Sequence, residues 1–259
     1  VGSEMCIRDR LLDIGNTKLK WASLKGETFI PGDVLKHSGQ LEYEMLTQVG
    51  QDLSPDYVVA SSVAGSKNEL ILQEWAQQRF QTDIQFVKAL PKEHGVINAY
   101  TDPTQLGSDR WAAVIAAHQG WQDNLCVIDA GTALTLDLLR SDGHHLGGYI
   151  LPGLRLMQHC LLEGTEIPIS TDSVILASDS KVGDNTISCI TNGALQATCG
   201  LVERSVTQFQ QQCNDKVQCI LTGSDSQRLA DNLTIPNVIE PDLVLRGLGY
   251  IARGRLVNK

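Results

Sequence analysis

The sequence predicts an α/β protein built from two successive halves that share one order of elements. Three observations carry this. A short apolar run ending in Asp-x-Gly and followed by an alternating stretch occurs twice, at residues 11–13 and 125–128. Apolar residues at helical spacing follow each of these stretches and alternate with further strand-like runs. The chain has 259 residues, enough for one large domain or two modest ones, burying roughly 70–75% of the surface of its unfolded form.

Taken in order, residues 11–13 form an apolar strand, and residues 18–22 alternate Leu19 and Trp21 with lysines, which reads as strand, tight turn and antiparallel strand. Residues 41–50 read as helix and 57–62 as strand. Leu70, Leu72, Trp75, Ala76 and Phe80 place a helix over 69–80, followed by a strand at 84–87. A helix over 106–117 opens with Gly107-Ser108-Asp109-Arg110. The pattern then restarts, with a strand over 125–128, Asp129-Ala130-Gly131-Thr132, and alternating Leu134, Leu136 and Leu138. A strand at 144–150 ends at Pro152-Gly153, before a helix over 154–162. A long helix over 185–213, strands at 217–222 and 238–239, and helices at 226–232 and 242–257 complete the chain. The expected domains are 11–121 and 122–259. Residues 1–10 begin without Met and put three consecutive charges against Leu11-Leu12, and are expected to be a non-native leader; the plain alternative is a native polar entry to the strand. As a leader they should lie outside the core, since Arg8, Asp9 and Arg10 cannot enter a buried sheet without unpaired charge.

The net charge of -9 and pI near 5.1 exclude bulk binding to nucleic acid or to an anionic membrane, so any phosphate must be held locally. No apolar run approaches the roughly 20 residues of a spanning helix. Mean hydropathy is -0.09, and a cytoplasmic location is expected. The seven cysteines form no C-x-x-C pair and read as buried free thiols. The histidines lack the spacing of zinc sites, and adjacent His144 and His145 should point to opposite faces of a strand.

Chance alone supplies about two Asp-x-Gly triplets in a chain of this composition, so the weight lies in their context. Each stands between two strand-like runs, and a Thr follows within two residues. Glycine lets the backbone approach an oxyanion, and successive N–H groups make a concave anion site. Thr17 and Thr132 add hydroxyls, and Asp13 and Asp129 offer carboxylate oxygens to hard cations. The plain alternative is a pair of ordinary I′ hairpins. Asp109, in the first turn of a helix, is favoured there by the helix dipole and suits a base that takes a proton from a hydroxyl nucleophile. The plain alternative at Gly107-Ser108-Asp109-Arg110 is a Ser108 N-cap with a dipole-matching Asp.

Four motifs in order resemble the type III pantothenate kinases, within the superfamily of acetate kinase, hexokinase, actin and Hsp70. They are Asp13-Ile14-Gly15-Asn16-Thr17; Asn98-x-Tyr100 with Gly107 to Arg110; Asp129 to Thr132; and Gly147-Gly148-Tyr149-Ile150-Leu151-Pro152-Gly153-Leu154. The resemblance implies two ribonuclease H-like (actin-like ATPase) domains, each a mixed five-stranded sheet flanked by helices. It implies ATP-dependent phosphorylation of pantothenate, the first step toward coenzyme A, with Mg²⁺ and a monovalent cation, K⁺ or NH₄⁺. By similarity Asp13, Ile14, Gly15, Asn16, Thr17, Lys18, Leu19 and Lys20 cradle the ATP phosphates and Thr132 also meets ATP. Asp129 holds the monovalent cation, and Asp109 is the catalytic base. Tyr100, Gly107, Ser108, Asp109, Arg110 and Thr186 contact pantothenate. Two positions depart from the family pattern, Asp184 in place of a Lys and Ser224 in place of a Gly. The competing readings are another small-molecule kinase of the superfamily and a non-catalytic nucleotide-binding regulator.

The helix over 185–213 carries two apolar stripes. One holds Ile187, Ile190, Ala194, Ala197 and Leu201; the other holds Leu195, Cys199, Val202, Val206 and Phe209. One stripe can face its own core, and the other needs cover, either within the chain or from a second copy. The resemblance implies a homodimer in which Thr186 reaches pantothenate on the neighbouring chain.

Overall fold

The computed structural model describes residues 8–49, 55–168 and 182–256. Among these the chain divides into two compact units, one ending at Gly120 and resuming at Asp242, the other running Trp121–Pro241.

In the first unit, strands β1 (Arg8–Ile14), β2 (Lys18–Lys25) and β3 (Thr28–Lys36) make an antiparallel meander. After a 3₁₀ turn at Tyr43–Gln48 come β4 (Tyr57–Ser62), α1 (Ser66–Phe80) and β5 (Ile84–Phe86). The sheet order is β3-β2-β1-β4-β5, with β1, β4 and β5 parallel. A small hairpin of β6 (Lys92–Glu93) and β7 (Val96–Ile97) precedes α2 (Ser108–Gly120).

The second unit repeats the plan. Strands β8 (Asn124–Ala130), β9 (Ala133–Leu139) and β10 (His145–Pro152) form the meander, followed by α3 (Leu154–Glu163), α4 (Thr186–Cys213), β11 (Val217–Thr222), α5 (Ser226–Ala230) and β12 (Asn237–Ile239). Its order, β10-β9-β8-β11-β12, has the same parallel and antiparallel pairings. Each unit is therefore the mixed five-stranded sheet with flanking helices that the resemblance implies.

Strand alternation sorts the side chains. In the first unit Leu12, Ile14, Val58 and Ala60 pack on Leu72, Trp75 and Ala76 of α1. The intervening positions, Leu11, Asp13 and Ser61, belong to the opposite face. In the second unit Cys126, Ile128, Ala130, Leu134 and Leu136 pack on Leu195, Cys199, Val202, Val206 and Phe209 of α4, which puts Asp129 on the other face.

Several expectations are corrected. The final helix, α6 (Leu243–Leu256), falls in the first unit and not in a domain spanning 122–259. It packs on α2 so closely that a Cβ on Gly247 would lie 1.9 Å from the Ala112 carbonyl oxygen. Arg8 to Arg10 lie in β1, paired with Lys25, Leu24 and Ser23, and not outside the core; residues 1–7 fall outside the described residues. Asp9 and Arg10 are buried, and Asp9 Oδ1 and Arg10 Nε have no hydrogen-bond partner. The sheet thus buries one unsatisfied polar atom of each. Burial, with a push from Asp56 and a smaller opposing pull from Arg253, raises the Asp9 carboxyl to about 6.

The expected helix at 41–50 is a 3₁₀ turn. Strand β3 carries little apolar signal because it is an exposed edge, interrupted by Pro31 and Gly32; Gly32 leaves the space that Trp21 fills. The β6–β7 hairpin turns on His94 and Gly95, both with positive φ (49° and 84°), the I′ requirement. Among the cysteines Cys126, Cys199 and Cys219 are buried, but Cys160 and Cys189 are exposed. His145 is buried with its Nε2 2.8 Å from Asp137 Oδ1, whereas His144 pairs at the surface with Asp142.

Candidate active site

Both Asp-x-Gly turns close the central strand of their sheet on the antiparallel neighbour. In the first unit Asp13 pairs with Lys20 and Ile14 with Leu19, and the Gly15 N–H donates to the Lys18 carbonyl at 2.9 Å. The His37 N–H holds the Thr17 carbonyl at 2.9 Å, fixing the turn to the end of β3. Asn16 and Thr17 are exposed at the tip, Gly15 and Lys18 are half-buried, and Ile14 and Leu19 anchor the turn in the core. Neither Gly15 nor Gly131 has a positive φ, so the two turns are not the I′ hairpins of the plain alternative. Asp13 and Lys20 are cross-strand neighbours of opposite charge on one face.

On the same face β4 runs parallel to β1, with Ser61 in register with Asp13. The first residue of α2 is tied to this strand end. Ser108 Oγ lies 2.9 Å from Ser61 Oγ and accepts the Ser62 N–H at 3.2 Å. Its hydroxyl thus ties the helix start to β4. Asp109 follows at once, half-buried, with Oδ1 accepting the Arg110 N–H at 2.7 Å. A Cβ on Gly107 would lie 2.6 Å from Asp109 Oδ1, so the glycine provides the room the carboxylate occupies. The buried Arg110 donates from Nη1 to the Tyr100 hydroxyl at 2.9 Å, with its guanidinium 5.8 Å from that ring's centre. Asn98 Oδ1 accepts the Tyr100 N–H at 2.9 Å. Tyr100 and Gly107 to Arg110 therefore form one cluster, at the strand ends that carry Asp13.

The second unit has a turn of its own. Asp129, half-buried, pairs with Thr135 of β9 and Thr222 of β11. Beyond β11, Gly223 turns with φ +91°, and the Asp225 N–H donates to the Ala130 carbonyl at 3.0 Å. The Gly131–Thr132 turn is held from the other side, where the Gly153 N–H donates to the Thr132 carbonyl at 2.9 Å. A Cβ on Gly153 would fall 2.1 Å from the Gly131 oxygen. Pro152-Gly153 thus seats the start of α3 beside the turn. Thr132 is exposed.

Thr186 is the first residue of α4 and is exposed. Asn185 caps this helix by accepting the Ser188 N–H at 3.0 Å, and Ser188 Oγ accepts the Asn185 N–H at 3.2 Å. Asp184 sits just before this N-terminus and accepts from Asn185 Nδ2 at 2.9 Å, which suits an acid at the positive end of a helix.

The sequence reading passed over Ser61 and Ser62. Their signal is a pair of small polar residues closing an otherwise apolar strand.

The first unit offers a backbone turn and lysines for phosphate and a carboxylate at a helix start for proton transfer; the second offers a turn and the Asp129 carboxylate. Comparison with known proteins agrees. The profile of the type III pantothenate kinase family matches residues 11–208. A type III pantothenate kinase of Nitrosococcus oceani is 33% identical over 94% of this chain and 93% of the relative. That of Laribacter hongkongensis is 36% identical over 94% and 98%. Among solved structures, a Baf family transcriptional activator protein from Campylobacter jejuni superposes with a TM-score of 0.59 at 20% identity, over 96% of this chain and 99% of that one, a likeness that bears on the fold alone. By profile and by identity across nearly its whole length, the chain belongs to the type III pantothenate kinase family.

Proposed function

We propose that the protein transfers the γ-phosphoryl group of ATP to the primary hydroxyl of pantothenate, giving 4'-phosphopantothenate and ADP. The observation that carries this reading is the clustering of Asp109, Arg110 and Tyr100 at the strand ends that bear the Asp13 turn. In this reading residues 13–20 and Thr132 hold ATP, and Tyr100, Gly107 to Arg110 and Thr186 hold pantothenate. Ser108 would act there through its backbone, since its hydroxyl is engaged by β4.

The chemistry asks little covalent work of the protein. Asp109 accepts the hydroxyl proton as the oxygen bonds to the γ-phosphorus and the bond to the ADP oxygen breaks. Arg110, oriented by Tyr100, presents a fixed positive charge for the pantothenate carboxylate or the moving phosphoryl group. Lys18 and Lys20 balance phosphate charge at the turn.

The residues present fit the implied cations. Among the described residues no group of three or more His, Cys, Asp or Glu side chains converges on one point. Single carboxylates beside phosphates are the usual protein share of a nucleotide-bound Mg²⁺. Asp129 Oδ1 and the Ala130 carbonyl oxygen both border Gly223, each 2.5 Å from where a Cβ there would stand, and such oxygens are the donor type that would hold K⁺ or NH₄⁺. Such cations supply charge neutralisation on the phosphates.

We also read the protein as a homodimer of the cytoplasm. Among the described residues no helix is long and apolar enough to cross a membrane. One stripe of α4 is buried in its own unit, while Ala197, Gly193 and Gly200 are exposed with open space around both glycines.

The test is ADP release with pantothenate and with a panel of sugars, with and without K⁺. Turnover on pantothenate alone is expected. Turnover on a sugar, or binding of nucleotide with no turnover, would establish one of the competing readings.

A further inference from the structure

We propose that Ser61 is a positioning residue for Asp109, acting through the hydroxyl of Ser108; this rests on the reading of Asp109 as the base. Ser61 is fully buried in β4, and most buried polar side chains are hydrogen-bonded. Its Oγ lies 2.9 Å from Ser108 Oγ. Ser108 Oγ also accepts the Ser62 N–H at 3.2 Å and reaches the Ser62 carbonyl at 3.4 Å.

A hydroxyl has one proton and two lone pairs. With the Ser62 N–H on one lone pair, Ser108 Oγ has its proton and a second lone pair for the 2.9 Å contact with Ser61, across which either hydroxyl can donate. Ser108 is thus tied to both Ser61 and Ser62. The first residue of α2 is therefore fixed to the end of β4.

Asp109 is the next residue along. On its other side Arg110 is held by Tyr100, and Trp111 Nε1 donates to Glu93 Oε2 at 3.0 Å. The half-buried carboxylate thus stands between two buried anchors. Ser61 is also the register partner of Asp13, so one hydroxyl links the strand neighbouring the proposed phosphate turn to the helix carrying the base. A base displaced by about 1 Å can cost on the order of 10²-fold in rate. Loss of a single anchor among several should cost less.

The experiment is a double-mutant cycle of Ser61→Ala with Asp109→Asn, measured well below the melting temperature of each variant. Ser61→Ala is expected to lower kcat roughly tenfold with KM for ATP within about twofold of the parent. Ser61→Thr, which keeps the hydroxyl, should stay within about threefold. In the Asp109→Asn background Ser61→Ala should change kcat by less than about twofold, because the group being positioned is gone. A tenfold loss in both backgrounds, or no loss in the parent, overturns the proposal. If Asp109→Asn alone stays within tenfold of the parent, the base assignment fails first and takes this inference with it. Should Ser61→Ala not fold, Ser61→Cys, a near-isosteric weak donor, is read by the same criteria.

Discussion

Gly223 and Asp129 approach so closely that a Cβ on the glycine would lie 2.5 Å from the Asp129 Oδ1. Gly223 also has a φ of +91°, where any side chain is strained. Gly223→Ala is therefore expected to displace Asp129 and the Ala130 carbonyl beside it. Activity should fall at least tenfold, with a lowered melting temperature; calorimetry and steady-state kinetics on the same sample check both. An alanine variant of unchanged rate would show that the contact has no bearing on the site.

Asp129 itself is expected to confer dependence on a monovalent cation. Rates measured in K⁺ should exceed those in Na⁺ at equal ionic strength. Asp129→Ala should lose that difference together with most activity. Equal rates in the two salts would count against the assignment.

Asp109→Asn should lower kcat by at least about 10²-fold. The Ser108 and Arg110 anchors do not involve the replaced oxygen's charge, so the melting temperature and ATP affinity should stay close to the parent. Single-turnover kinetics and a nucleotide-binding titration separate these effects.

Asp9 sets a pH dependence of stability. Its folded value of about 6 lies above the roughly 3.9 of an unfolded Asp. The fold favours the neutral carboxyl. Its contribution is fully present below about pH 4, is lost as pH rises to about 6, and is then level. Asp9→Asn, which mimics the neutral form, should raise the melting temperature by about 2–4 °C or more at pH 7.5 and by much less at pH 4. Equal shifts at the two pH values would refute the linkage.

The exposed face of α4 around Ala197 tests self-association. Ala194, on the same stripe in the sequence, packs against its own core, so Ala197→Glu is the cleaner probe. The parent should sediment as a dimer and Ala197→Glu as a folded monomer with little activity. A fully active monomeric parent would remove the dimer from the account.

The strands and helices that build the cores were legible in the sequence because burial imposes a period, and the two Asp-x-Gly turns were legible because each interrupts such a pattern. Strand β3 was not, since an edge exposed to water imposes no apolar alternation. The β6–β7 hairpin has strands too short to show a period at all. The placement of Asp109 beside Arg110 is local and was readable. The tie from Ser108 to Ser61 spans 47 positions, and only the folded sheet brings such residues together. Arg8 to Arg10 show the converse. Their charge argued for exclusion, yet they continue the β1–β2 ladder, and the cost reappears as the orphaned atoms of Asp9 and Arg10.

The return of α6 to the first unit sets an order of completion during synthesis. A chain emerging from the ribosome finishes the second unit at Pro241, while the first still lacks the helix that covers Ala112 and lies near Leu11 and Leu24. The unit that begins first is thus the last to close. A released chain truncated after residue 241 would carry one finished body and one with an open apolar flank, the kind of surface that chaperones engage.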